Sequence, residues 1–301
     1  MEMLRRPEII LKQEKIYWTN YHMHSHYCDG EGELEAYVIR AIEKGMLAIG
    51  FSSHAPIPCG MFWHMKKELL CEYIKEMSFL KNKYHDDIKI YSGLEVDYIP
   101  NVIGPSHFRD LNLDIIIGSV HYAGMFENGE NCIIEYTEEK FVEGLELIFN
   151  NNIIELVRTY YDNIISMVNN DPPDLIGHFD IIKKFNYGNK FFNEKDRWYQ
   201  NIVAEVIKVI AKKKCVVEIN TRGYYKGITE DFYPSRWILE KCLEYNIPIT
   251  ISSDAHQVQE IDSGFEAAAS LLIEIGYKHV YIFIEGKWCK ADLKAKGLVF
   301  K

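Results

Sequence analysis

Short apolar runs alternate with longer amphipathic stretches along most of the chain. The apolar runs cover 16–21, 47–52, 88–95, 113–120, 174–177, 215–219 and 248–252. Each is about the length of a strand buried on both faces. An eighth candidate strand covers 279–284. The stretches between them follow a helical period. Within 33–45, Leu34, Tyr37, Val38, Ala41 and Ile42 fall on one stripe, and Gly45 suits a C-terminal cap. Within 66–84 the stripe is Leu69, Leu70, Tyr73, Ile74, Met77 and Leu80. Helices are also expected over 137–149, 153–168, 197–213, 234–245 and 262–275, with Pro234 where a first turn tolerates proline. Sustained strand–helix alternation predicts an α/β fold with a parallel sheet. With no internal repeat and no Gly/Ser linker, 1–301 is expected to form a single domain.

The polar residues after the runs decide between two α/β architectures. An open sheet binds ligand at one switch point, whereas a barrel gathers residues from the C-terminal end of nearly every strand. Here the first run is followed by His22, His24 and Asp29, the second by His54, and the third contains Glu95. His121 follows the fourth, His178 the fifth, and Asp254 and His256 the seventh; the sixth delivers Glu218, Asn220 and Arg222. These groups converge only if the strands close into a ring.

In His22-Met23-His24, residues i and i+2 point to the same face, so both imidazoles can reach one metal. Asp254-Ala255-His256 repeats the device. Imidazole with carboxylate suits Zn, Mn or Fe. Nine candidate ligands exceed the needs of one ion, so two or three divalent ions are expected, with Glu95 as a natural bridge. His64, His85, His107 and His279 fall outside the pattern and read as ordinary surface or packing residues. His26, in phase with His24, could support a ligand or touch substrate.

Composition narrows the function further. Apolar residues make up 48% and charged residues 26%, as in ordinary globular chains. No run reaches the roughly 18 apolar residues of a membrane span. A net charge of −10 argues against a nucleic-acid partner bound through diffuse positive charge. The seven cysteines (Cys28, Cys59, Cys71, Cys132, Cys215, Cys242, Cys289) are scattered, with no CxxC pair. The N-terminal segment lacks a signal-peptide apolar core, so reduced thiols and a cytoplasmic location are expected.

Taken in order, several motifs resemble those of the PHP (polymerase and histidinol phosphatase) superfamily. They are His22-x-His24-Ser25-His26-x-x-Asp29-Gly30, Ser53-His54, Gly93-Leu94-Glu95, Gly118-Ser119-Val120-His121, Gly177-His178-Phe179-Asp180 and Ser253-Asp254-Ala255-His256. The resemblance spans roughly residues 16 to 275. Glu218-Ile219-Asn220-Thr221-Arg222-Gly223, Gly118-Ser119-Val120-His121-Tyr122 and the chain length are similar to the stand-alone histidinol-phosphate phosphatase branch.

The resemblance implies a distorted, TIM-like (β/α)7 barrel holding a trinuclear Zn, Mn or Fe centre. It implies a first ion on His22, His24, Glu95 and Asp254, and a second on Glu95, His121 and His178. A third would lie on Asp29, His54 and His256. It also implies that Arg222 contacts substrate phosphate, and that the reaction yields L-histidinol and inorganic phosphate.

Clustered divalent ions beside an arginine suit phosphate-ester hydrolysis. They neutralise phosphoryl oxygens and lower the pKa of water for in-line attack. Arg222 offers a planar fork to the same phosphate, with an ion pair to a neighbouring carboxylate as its structural alternative. Water at the metals, Asp254 or His256 could protonate the leaving alcohol. The loops 124–135 and 223–231, and the rings of Trp63, Tyr122, Tyr224 and Tyr225, could shape a pocket for imidazole. The competing readings are a PHP phosphoesterase acting on another small ester, nucleotide or phosphotyrosine, an amidohydrolase-type barrel, and a non-enzymatic metal scaffold.

Overall fold

The computed structural model describes residues 15–58 and 60–300. The first fourteen positions, Cys59 and Lys301 lie outside the described residues.

All seven predicted strands form: β1 (Thr19–Asn20), β2 (Ala48–Phe51), β3 (Lys89–Asp97), β4 (Ile115–Ser119), β7 (Leu175–Ile176), β8 (Val216–Asn220) and β9 (Ile249–Ser252). A short hairpin, β5 (Tyr122–Met125) and β6 (Asn131–Ile133), follows β4. The seven pair in parallel in the order β1-β2-β3-β4-β7-β8-β9. The ring closes where Met23 bridges Ala255, with His24 N–H donating to the Ala255 carbonyl at 2.8 Å. This is the distorted (β/α)7 barrel that the sequence motifs imply.

Alternation along each strand separates two apolar layers. Outward-facing Ile49, Phe51, Leu94, Val96, Ile116, Val217, Ile219, Ile249 and Ile251 pack against the surrounding helices. Inward-facing Ala48, Tyr91, Ile115, Ile117, Leu175 and Val216 fill the barrel near its N-terminal end. The helices bury the predicted stripes. Leu34–Glu43 buries Leu34, Tyr37, Val38 and Ala41, and Ile153–Asn170 starts where the Asn152 side chain accepts from Glu155 N–H. Pro234 lies just before its helix, Arg236–Glu244, rather than in its first turn. Among the described residues no helix is long and apolar enough to cross a membrane.

The eighth candidate strand forms outside the barrel. β10 (His279–Ile284) leaves the barrel and forms an antiparallel sheet with β11 (Lys287–Lys294) and β12 (Gly297–Val299). The reason is local: Glu285 and Gly286 both have positive φ (51° and 77°), the geometry of a two-residue hairpin turn. The chain reverses there instead of crossing over. Phe283 and Trp288 of this sheet then close the barrel floor against Tyr21 and Tyr91.

Candidate metal centre

The C-terminal ends of the barrel strands open into a pocket of about 200 Å³. β1 continues into His22 and His24, while Met23 packs into the outer core. β3 ends in Glu95 and Asp97, one face apart by two residues. His121 follows β4, His178 follows β7, and Asp254 and His256 follow β9. Two backbone features permit the crowding. Gly177 packs so closely that an added Cβ would lie 2.4 Å from Ser119 Oγ. Asp254 has φ 52°, a left-handed conformation that an L side chain adopts at a cost of roughly 1–2 kcal/mol.

Glu95 lies at the centre. Its Oε2 is 3.3 Å from His22 Nε2, 3.5 Å from His24 Nε2 and 3.1 Å from His54 Nδ1. Its Oε1 is 2.8 Å from His178 Nε2 and 3.6 Å from His121 Nε2. Asp254 Oδ1 is 3.2 Å from His24 Nε2 and 3.7 Å from His22 Nε2. Toward the rim, Asp29 reaches His256 Nε2 at 3.3 Å, and His24 and His54 at 3.8 Å. All nine ligand candidates therefore meet in one cluster, seven lining the pocket and His22 and His24 fully buried behind them. Their donor atoms fall into sets within 4.8 Å of one another: His24, Asp29, His54 and His256; His22, His24 and Asp254; His22, Glu95 and His178; His54, Glu95 and His121. Glu95 stands in two sets and His24 joins the rim set, so the donors interlock more than three separate sites would.

The donor set fits divalent cations. His22 Nε2, His24 Nε2 and His54 Nδ1 are buried and make no hydrogen bond. Leaving a buried polar atom unsatisfied costs about 1–3 kcal/mol. Three such atoms facing carboxylate oxygens are what a cation would satisfy. The charge states agree. Burial, with His256 and His54 alongside, lowers the His24 pKa to about 3, and burial also lowers His54. For Glu95 and Asp254 burial acts upward, yet the surrounding imidazoles, with Arg222 beside Asp254, hold both well below the usual carboxylate range. Burial opposes charge on His121 too, but Asp97 overrides it and pushes the imidazole up to about 10. A cation entering the pocket displaces such protons.

Supporting groups surround the ligands. Glu218, fully buried, lies 2.9 Å from His22 Nδ1 and accepts from His178 N–H and Asn220 Nδ2. Asn220 also donates to Asp254 Oδ2 at 3.1 Å. Arg222 lines the pocket; its Nη1 donates to the Asp254 carbonyl at 2.8 Å and lies 3.7 Å from Glu260. Lys226 takes the other Glu260 oxygen.

Several residues depart from expectation. His64 is buried rather than ordinary, with Nε2 2.6 Å from Asp97 Oδ2. Of the four pocket aromatics expected, only Trp63 lines the pocket. Tyr122 is buried in the core, Tyr224 packs on Phe232, and the Tyr225 hydroxyl turns to Glu260. Phe62 and Tyr136 stand beside Trp63 instead, with ring centroids 5.2–5.7 Å apart. Glu135 and Lys184, paired at 2.8 Å, complete that wall. The exposed His26 faces Glu33 and is not among the lining residues. In-phase spacing behind Glu95 could have pointed to Asp97; Glu135 ends the loop 124–135 expected to shape the pocket, and it is the residue of that loop that lines it.

The PHP domain family model matches residues 20–222. A Deinococcus radiodurans protein named "Probable histidinol-phosphatase" is 30% identical over 269 residues, covering 86% of this chain and 94% of its own length. The histidinol-phosphatase of Bacillus subtilis is 28% identical over 264 residues, covering 82% and 96%. The crystal structure of histidinol phosphate phosphatase from Lactococcus lactis, complexed with Zn, L-histidinol and phosphate, superposes with a TM-score of 0.66. That match is 23% identical and covers 92% of this chain and all of the other. The chain belongs to the PHP family.

Proposed function

We propose that this chain is a metal-dependent phosphomonoesterase that hydrolyses L-histidinol phosphate to L-histidinol and inorganic phosphate. The observation that carries the reading is the convergence of nine donors, three with orphaned buried nitrogens, beside one pocket-lining guanidinium. His22, His24, Asp29, His54, Glu95, His121, His178, Asp254 and His256 would hold two or three ions of Zn, Mn or Fe. Bound there, such ions neutralise phosphoryl charge and make water a better nucleophile. Arg222, anchored by one nitrogen on the Asp254 carbonyl, presents its remaining donors to the phosphate. Asn220 fixes the Asp254 carboxylate, and Asp254 and His256, which line the same pocket as Arg222, are the side chains that would assist proton delivery to the leaving alcohol.

The opposite wall suits the organic half of the substrate. Phe62, Trp63 and Tyr136 offer ring faces to an imidazole, and Glu135 offers a carboxylate to a cationic nitrogen. Burial raises the Glu135 pKa, but Lys184 and His121 outweigh it and lower it to about 2, so this carboxylate is ionised at neutral pH. The relatives named above support the substrate. The same reading takes the chain as one cytoplasmic catalytic domain with a small-molecule partner and no nucleic acid.

The test is a panel of phosphomonoesters on zinc- or manganese-loaded protein. L-Histidinol phosphate should exceed p-nitrophenyl phosphate, phosphotyrosine and nucleotides in kcat/KM by at least about 100-fold. Comparable rates across the panel would overturn the substrate assignment and leave a broader phosphoesterase.

A further inference from the structure

Asp97 touches neither the cluster's open face nor Arg222, yet it is 1% exposed and lies two residues past Glu95 on the same strand face. Each of its oxygens meets a different imidazole. Oδ1 bonds His121 Nδ1, and Oδ2 lies 2.6 Å from His64 Nε2. The proton positions follow from the remaining partners. His64 Nδ1 accepts from Met61 N–H at 2.9 Å, so it carries no hydrogen there. His64 is therefore the Nε2–H tautomer and donates to Asp97. His121 donates Nδ1–H to the same carboxylate, so Nε2, 3.1 Å from His178 Nε2, is the nitrogen turned to the cluster and would ligate once a cation displaces its proton.

The far end of this chain of bonds is the pocket wall. His64 closes the segment Met61-Phe62-Trp63-His64, whose two middle rings line the pocket. The next residue, Met65, donates its N–H to the His54 carbonyl at 3.1 Å. One carboxylate thus fixes the tautomer of a ligand imidazole and the seat of the aromatic segment together.

We infer that Asp97 and His64 are positioning residues, a clamp that fastens the substrate-facing segment 61–64 to the metal ligand His121. This rests on the reading of His121 as a ligand and adds a coupling between metal retention and the pocket wall. The chemistry makes the clamp intolerant of a near-isosteric change. In Asp97→Asn, one end of the side chain becomes an NH2 donor. Facing His64, it meets an N–H. Facing His121, it forces the other tautomer, whose Nε2–H points at the cluster and cannot ligate.

The experiment compares wild type, Asp97→Asn, His64→Phe and His64→Gln. Bound zinc is counted by mass spectrometry after dialysis against a graded chelator, and KM and kcat are measured with L-histidinol phosphate. Asp97→Asn should bind zinc about 10–100-fold more weakly at one position and emerge with about one ion fewer. His64→Phe should keep its zinc but raise KM about tenfold through the loosened wall. His64→Gln, whose amide still donates to Asp97, should recover most of that loss. Wild-type zinc retention in Asp97→Asn, or an unchanged KM in His64→Phe, overturns the clamp. If the wild-type chain binds no zinc, the ligand reading itself fails and takes the clamp with it.

Discussion

The two ends of the barrel interior are built from the same strands and differ in whether their polar atoms are satisfied. At the floor, the Tyr21 hydroxyl donates to the Phe283 carbonyl and accepts from the Phe283 N–H, both at 2.9 Å. Around it Tyr91, Phe283 and Trp288 pack edge to face. Among the described residues none of these four side chains carries a buried polar atom without a partner. At the mouth, only a few residues further along the same strands, imidazole nitrogens sit buried without partners and carboxylates crowd together. The floor stabilises the ring; the mouth is costly to the empty fold and repaid by ligand. Stability and chemistry are thus separated along the strand direction.

Substitutions at the two ends should therefore break different properties. The largest effect is expected for Asp254→Asn at the mouth. Asparagine accepts a left-handed backbone as readily as aspartate does, so the fold should survive. Activity should fall on the order of 10⁴-fold, about 5.5 kcal/mol of transition-state stabilisation. Steady-state kinetics beside a thermal melt checks this, and a melting temperature that falls with the activity would contradict the separation.

Phe283→Ala at the floor should do the reverse. It should remove about 3–5 kcal/mol of stability, the usual cost of emptying a buried phenylalanine site. The kcat/KM should move less than about twofold. Denaturant unfolding with parallel assays measures both. Tyr21→Phe is the mildest. It strips two hydrogen bonds from buried backbone groups at a cost of about 1–3 kcal/mol. A loss of activity in this variant at full metal loading would show that the floor also shapes the mouth.

How much of this was legible in the sequence depends on the range of the interaction. The seven barrel strands and their helices were readable because burial on both faces leaves an uninterrupted apolar run, and burial on one face leaves a 3.6-residue stripe. His22 and His24 could be recognised because two-residue spacing on extended backbone is itself the geometry; Asp254 and His256 share that spacing, but Asp254 is left-handed beyond the strand end and the two fall in different donor sets. The ninefold convergence needed only closure of the ring. The bond His64 makes was not legible for the opposite reason. Its partner Asp97 is 33 residues away, and no periodicity links them. The loop 124–135 was legible as a pocket segment, but that Glu135 is its contributing side chain was not, because beyond the β5–β6 hairpin loop conformation rather than pattern aims the side chain. The strand at 279–284 was identified as a strand, but its sheet was not legible, since the two-residue turn after it rather than any periodicity pairs it with 287–294.

From its own letters the chain determined strand faces, helix stripes and which side chains could bind a cation, because these follow from local period and residue chemistry. Only the folded barrel decided which imidazole nitrogen faces the pocket, which carboxylate orients it and which rings form the wall. Those choices are made by pairs far apart in the chain, such as His22 with Glu218 and Asn20 with Ser253, whose meeting depends on ring closure and leaves no trace in the spacing of either partner.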